Sequence, residues 1–291
     1  MDRLVTVIIA TAARPERGAV LRRAIDGVCA QQPVPEVIVV VNGGSFDSTL
    51  VAALQADTRV RYDYQALGSY PAAQRRGREL VRTEFFCFLD DDDELLDGSL
   101  SLRLECMMQT DRPDVAVCTG LRRVGNDDFP CNTPLPAAGD DLMLDLLRQN
   151  WFASSAPLFR TETIGLEFFD GQTKYYEWTL LGFRLFASRR RFAFIETPGY
   201  RLHDSAVSLS KNPAGVLFMP ELLEQLLGLG PTPAARSKLL RRLANAHHIC
   251  AATEIAAGHR LKAWRHHLHS LVLPGGWAFL TFTRRFLWPA G

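Results

Sequence analysis

The sequence predicts an α/β protein with a mostly parallel sheet flanked by helices, followed by a helical C-terminal appendage. Three observations carry this. Apolar runs and helix-period segments alternate four times between residues 4 and 110. Two of the apolar runs, VIVVV and FFCFL, show no polar alternation, as expected of parallel strands covered on both faces. From Val216 onward, leucine-rich helical segments dominate.

Taken in order, residues 4–11 (LVTVIIAT) form a β-branched run. Residues 18–31 follow with Val20, Leu21, Ala24, Ile25 and Val28 at helical spacing. The alternation recurs as strand 36–41 with helix 48–56, strand 60–64 with helix 72–82, and strand 85–89 with helix 99–110. Right-handed crossovers would join these units. A strand over 115–119 precedes a loop-like stretch, 125–140, rich in Pro, Gly, Asn and Asp. Residues 142–148 and 178–188 then read as helices and 192–197 as a strand. The expected division is a sheet domain over residues 1–212 and a helical region over 213–291.

Six cysteines are scattered without a CxxC pair, so they read as small core residues of a reducing compartment rather than a disulfide framework or a zinc site. The first apolar run follows one basic residue and is soon stopped by Arg14-Pro15, too short and wrongly flanked for a signal peptide. A cytoplasmic location is the expectation. The net charge of +1 hides an asymmetry, because residues 236–291 hold nine Lys or Arg against the single acid Glu254. That tail carries +8 and leaves about −7 for the rest, and six of the seven histidines lie in it.

An open parallel sheet binds ligands beyond the carboxyl ends of its strands. Those positions here are Thr11-Ala12-Ala13-Arg14 after the first strand and Asn42-Gly43-Gly44-Ser45 after the second. The fourth strand ends in Asp90-Asp91-Asp92-Asp93-Glu94. Four consecutive aspartates repel one another, and a cation relieves the repulsion. Magnesium or manganese suits such a site, since a hard cation is held by one or two carboxylates plus substrate phosphates. The competing reading is a solvated acidic turn ahead of the helix that begins near Gly98.

With these pieces in their order and spacing, the sequence from about Val5 to Ser210 resembles the inverting glycosyltransferase family 2 of bacterial type, whose catalytic domain has the GT-A fold. The resemblance rests on VTVIIAT followed by Arg14, on VIVVVNGGSFDST, on Ala73-Gln74-Arg75-Arg76-Gly77 at the family's ARNxG, and on FLDDDDELLDGSL at its DXD region. It implies a nucleotide-sugar donor touched by Thr11, Arg14, Asn42, Gln74 and Asp91, with Asp91 at the ribose. It implies a Mg²⁺ or Mn²⁺ ion on Asp92, supported by Asp90 and Asp93. Three departures bear on the base that is bound: Ala12-Ala13 replace an aromatic and an Asn, Asn42-Gly43 an acidic pair, and Gln74-Arg75 an Arg-Asn.

The same resemblance sets Tyr175-Tyr176-Glu177-Trp178 at the family's ED motif and makes Glu177 the general base, with Asp170 as the alternative acid. The bland reading of Glu177 is a carboxylate at a helix N-terminus. Tyr175, Tyr176 and Trp178 line a sugar face or pack into the core. Tyr200 to Ser210 resembles the post-catalytic loop, in which His203 completes the metal shell and Arg201 or Lys211 reaches the diphosphate.

The expected activity is sugar transfer to a hydroxyl of a glycan or lipid-linked acceptor. A catalytically weak nucleotide-sugar-binding module is the alternative, and a nucleotidyltransferase ranks last because residues 11–18 lack a lysine and a glycine cluster. Residues 268–288 are apolar but broken by Pro274-Gly275-Gly276, too interrupted to span a bilayer. That segment either lies in a membrane interface at the inner face of the membrane or packs on protein. No nucleic-acid reading motif accompanies the positive charge, so nucleic acid is excluded as a partner.

Overall fold

The computed structural model describes residues 3–137, 139–173, 175–203 and 213–287. The first half is built as its apolar periodicity dictates. β1 (Val5–Thr11) is buried along its whole length and leads into α1 (Gly18–Cys29), which turns Leu21, Ala24, Ile25 and Val28 inward. β2 (Glu36–Asn42), α2 (Ser48–Ala56), β3 (Val60–Gln65), α3 (Tyr70–Leu80) and β4 (Phe85–Asp90) follow. Asp47 caps α2 by accepting from the Leu50 amide, and Ser69 caps α3 with Pro71 in the first turn. Gly77 lets α3 lie against the sheet, since a Cβ there would stand 2.3 Å from the Ile8 Cγ2.

β5 (Glu94–Leu95), α4 (Ser99–Met107), β6 (Val115–Val124), β7 (Asp127–Cys131), α5 (Leu142–Arg148), β8 (Pro157–Arg160), α6 (Glu177–Ala187) and β9 (Phe192–His203) come next. The nine strands form one sheet in the order β3-β2-β1-β4-β8-β6-β9-β5, with β7 paired to β6. The first four strands run parallel as predicted. β8 runs antiparallel to both β4 and β6, so the sheet as a whole is mixed.

Several elements differ from the sequence reading: β5 and β8 are additional strands, β6 runs on to Val124, and β7 and β9 depart as follows. The stretch read as a loop contains β7, because Gly125, with a φ of +62°, reverses the chain into a hairpin. Asp127, Asp128 and Pro130 are poor strand formers, and pairing with β6 overrides their propensity. β9 continues beyond residue 197 to His203, shifting register against β6 between Cys118 and Gly120.

The chain order places a switch point between β1 and β4. The chain leaves β1 toward β2 and β3, then returns to β4 on the other side of β1. The carboxyl ends of these two strands therefore bound a crevice, with Ala10 in register with Asp90 and Thr11 beside Val41. An aromatic cluster fills the sheet face behind it. Phe86 stacks on Phe159 at 5.0 Å, and Phe88 meets Phe169 and Trp178 at 5.6 and 5.4 Å.

The described residues divide into two compact units, one up to Asp140 and from Gln149 to His203, the other comprising Asp141–Arg148 and the residues from 213 onward. Helix α5 thus belongs with the helical unit, not with the sheet to which the sequence boundary assigns it. Its partner is α8, whose Arg242 donates to the Leu147 carbonyl. The helical unit continues with a 3-10 turn (Pro213–Phe218), α7 (Met219–Gly228), α8 (Pro233–Ala256), α9 (Arg260–Val272), a second 3-10 segment (Gly276–Thr283) and α10 (Arg284–Leu287). Thr232 caps α8 by accepting from the Ala235 amide at 3.2 Å. All six cysteines are free thiols; Cys87, Cys106, Cys118 and Cys250 are buried, and Cys29 and Cys131 are half-buried. Among the described residues no helix is long and apolar enough to cross a membrane.

Three histidines of this unit, His247 on α8 and His266 and His269 on α9, meet where the two helices pack. Buried His247 shares an Nδ1–Nδ1 contact of 2.9 Å with His266, which requires one of the two to accept, and its ring meets that of His269 edge-on at 5.1 Å. Burial, followed by the fields of His266, His269 and Arg265, depresses the His247 pKa to about 4. A histidine depressed in the folded state contributes stability above its ordinary pKa and loses it as pH falls through 6.5 toward 4. Urea unfolding at pH 7.5 and 4.5 should therefore show wild type losing on the order of 2–3 kcal/mol more than His247→Leu across that window.

Candidate active site

Four aspartates of one run converge on the crevice, and each is held by a different partner. Asp90, the last residue of β4, accepts from the hydroxyls of Tyr70 on α3 and of Ser154, the latter at 2.7 Å. Asp91 accepts from the Thr11 hydroxyl at 2.5 Å, joining the ends of β4 and β1. Asp93 accepts from the His203 amide at 3.2 Å and from Ser155 at 3.3 Å. Ser155 is in turn fixed by the fully buried Arg103, which donates to its carbonyl at 3.2 Å.

Burial dominates the electrostatics. It pushes the Asp91 carboxyl up to about 6 against the opposing pull of Arg17 and Thr11. Asp93 is driven well above the ordinary carboxylate range by burial and by its aspartate neighbours. Asp90 is raised too, chiefly by burial. The compensating charge is Arg17, whose Nη1 lies 2.6 Å from Asp92 Oδ2 and 3.2 Å from Asp91 Oδ1. Burial alone would lower the Arg17 pKa, and the three acids Asp91, Asp92 and Asp90 outweigh it and raise it. The corner is therefore built to hold positive charge. Among the described residues no group of three His, Cys, Asp or Glu side chains is arranged to hold a metal unaided.

Asn42 donates from its amide to the Thr11 carbonyl at 2.9 Å, tying β2 to β1 at the crevice floor. The Ala13 amide donates to the Thr11 hydroxyl at 2.9 Å, and Ala13 itself is buried with a left-handed φ of 46°. Tyr175 is likewise left-handed, at 78°, two residues before Glu177. Such backbone strain persists where surrounding structure over-determines it, and it gathers at functional sites. Glu177 opens α6, and burial, with a further push from Asp90, raises its pKa to about 7. Its Oε2 is buried without a hydrogen-bond partner among the described residues. The Glu177 charge also bears on Tyr70, whose hydroxyl pKa is raised well above its ordinary value, by burial first and then by Asp90.

A sequence profile described as Glycosyl transferase family 2 matches residues 6–192. The chain belongs to this family. Two curated relatives, uncharacterized glycosyltransferases of Rickettsia typhi and Rickettsia prowazekii, are 31% and 30% identical over 104 residues. That match covers 36% of this chain, and the chain spans only about a third, 33%, of either relative. Among solved structures, S. aureus TarS 1-349 in complex with UDP-GlcNAc aligns with a TM-score of 0.61 at 15% identity, covering 92% of this chain and 79% of that one. The same protein with UDP aligns at 0.58 and 15% identity, covering 86% and 73%. These likenesses agree with the GT-A fold.

Within this family 2 member, the structure brings Thr11, Asn42, Asp90, Asp91, Asp92 and Asp93 together as the sequence predicts. Gln74 is 1% exposed, on the same face of α3 as Tyr70, and its Nε2 has no partner among the described residues. Arg14 is not brought in. Its side chain is exposed, and its carbonyl accepts from the Arg17 amide to close a 3-10 turn, so Arg17 reaches the acids instead. His203 Nε2 lies 2.9 Å from Glu94 Oε1, and Arg201 is shared between Glu94 and Asp128. Antiparallel pairing of Glu94 with Arg201 fixes both contacts.

Asp170 is exposed and bridged to Arg75. Trp178 packs edge-on against Phe88 and Phe152 and is half-buried. Lys211 and Ser210 lie outside the described residues. Arg17, Tyr70, Ser154 and Ser155 were not anticipated.

Removing Arg17 leaves the aspartates without their counter-charge. Arg17→Gln should cost about 2–3 kcal/mol at pH 8, where the Asp91 carboxyl is ionised. Because that group's pKa of about 6 lies above its ordinary value, protonation relieves the loss, and the gap in melting temperature from wild type should narrow at pH 5.

Proposed function

We propose that this chain is an inverting glycosyltransferase that moves a sugar from a nucleotide diphosphate to an acceptor hydroxyl. The observation that carries the proposal is the unpartnered, buried Oε2 of Glu177, poised with a pKa of about 7 and electrostatically linked to Asp90 of the acidic corner. A base that accepts a proton near neutral pH has its best leverage at that pKa. Glu177 takes the proton of the acceptor hydroxyl as its oxygen forms a bond to the anomeric carbon from the face opposite the diphosphate. The bond from that carbon to the phosphate oxygen breaks, and the nucleoside diphosphate leaves with the electron pair. Attack from the opposite face inverts the anomeric configuration.

The donor assignment is supported by family membership and by the UDP and UDP-GlcNAc complexes of TarS. Asp91, tied to Thr11, would receive the ribose, with Asn42 and Gln74 toward the base. The residues fit a Mg²⁺ or Mn²⁺ ion shared with substrate phosphates, since Asp92 already engages a cationic group and such ions need only one or two carboxylates. Asp92 would hold it, with Asp90 and Asp93 in support and His203 as the further candidate. When bound, the ion neutralises charge on the departing diphosphate. The acceptor would be a glycan or a lipid-linked hydroxyl, and the site of action the cytoplasm.

The altered Ala12, Asn42 and Gln74 positions favour a second reading, a nucleotide-sugar-binding module without turnover. Kinetics separate the two. Glu177→Gln should lower kcat by about 10²–10⁴-fold with donor affinity retained. Wild-type kcat/KM should fall as pH drops below about 7, where Glu177 is protonated, and level off above it. Asp170→Asn should transfer sugar normally. Binding without turnover in wild type would favour the module, and full activity in Glu177→Gln would remove that residue from the base role.

A further inference from the structure

Helix α9 turns apolar residues in the direction where solvent is expected. Its buried residues, Ala263, His267 and Ser270, lie on one side. At 100° per residue, Leu261, Leu268 and Val272 fall on the opposite side, in one stripe with Arg265. Leu261 is 87% exposed and Val272 83% exposed, so these are full-length side chains in water and not the fringe of a core. The 3-10 segment that follows exposes Trp277, at 74%, and Leu280. Trp264, by contrast, stacks on Phe286 at 4.2 Å and belongs to the interior of the unit.

The charged side chains of α9 itself are all basic. Lys262, Arg265, Arg284 and Arg285 are exposed, and the only acid in residues 236–291, Glu254, is engaged by His259 at 2.7 Å. An apolar ridge with a cationic rim complements the headgroup region of an anionic bilayer, where leucine, valine and tryptophan enter the acyl boundary and Lys and Arg meet lipid phosphates. A second copy of the chain would present the same cations to these cations. The helix is about 20 Å long, suited to lying in the interface plane and too short to cross it.

We propose that the Leu261, Leu268 and Val272 face of α9, with Trp277 and Leu280, is a docking surface for an anionic lipid membrane. This inference stands apart from the chemistry of the acidic corner, because vesicle binding needs neither donor nor acceptor. The test is co-sedimentation of the full chain with phosphatidylcholine vesicles with and without phosphatidylglycerol, on wild type, Leu261→Glu/Val272→Glu and Arg265→Glu. Circular dichroism serves as the folding control.

Wild type should pellet with the anionic vesicles, less so as salt rises, and only weakly with neutral ones. Both variants should keep their helix content and partition about tenfold more weakly. Wild type that pellets with neither vesicle, equal binding to both, or variants that bind like wild type would each overturn the proposal. So would a wild-type dimer that Leu261→Glu/Val272→Glu converts to monomer, since the face would then be covered by a second copy.

Discussion

Like charge crowded into a dry crevice governs the sheet unit. Asp90, Asp91, Asp92 and Asp93 follow a strand that the aromatic core buries, so the chain cannot swing them into bulk water without dismantling β4. Each carboxylate therefore requires a donor, and the fold supplies one from a different element every time: Thr11 from β1, Tyr70 from α3, Ser154 and Ser155 from the segment before β8, and the His203 amide from β9. Arg17 adds the compensating charge. The polar network and the mixed strand order are thus two aspects of one arrangement, because β9 and β5 must pair for His203 and Glu94 to reach the corner.

This crowding also explains how one site can hold acids in different states. Burial lifts Asp91 and Glu177 toward neutrality, to about 6 and about 7. Glu94 follows the opposite course. Its partial burial pushes upward, but the hydrogen bond from Arg201, together with His203 and Arg23, holds it below the usual carboxylate range. The same sheet unit therefore holds carboxyls lifted toward neutrality and a carboxylate tied to cations, a separation that acid-base chemistry needs.

Legibility in the sequence followed the range of the interactions. β1 to β4 and their helices were readable because continuous apolar runs and helix-period stripes are local signals, and the acidic run stood out for the same reason. The β7 hairpin was not readable, since Asp127, Asp128 and Pro130 gain their strand only through β6. Arg17 is not legible as the counter-charge, because its approach to the acids depends on the 3-10 turn Pro15–Arg17 and not on any local pattern. Ser154 and Ser155 carry no local signature at all. Their role arises from Arg103, distant in sequence, and from the antiparallel insertion of β8. The assignment of α5 to the helical unit rests on contacts with α8, which no pattern within residues 142–148 encodes.

The proposed chemistry requires the acidic corner to bind the diphosphate of a nucleotide sugar together with a divalent ion. Thermal unfolding of wild type and Asp92→Ala across a panel of nucleotide sugars, each with and without Mn²⁺, tests it most directly. At least one nucleotide sugar should raise the wild-type melting temperature by several degrees only when Mn²⁺ is present, and Asp92→Ala should abolish the shift. A wild-type protein that no nucleotide sugar stabilises with metal, or an Asp92→Ala protein stabilised as well as wild type, would contradict it.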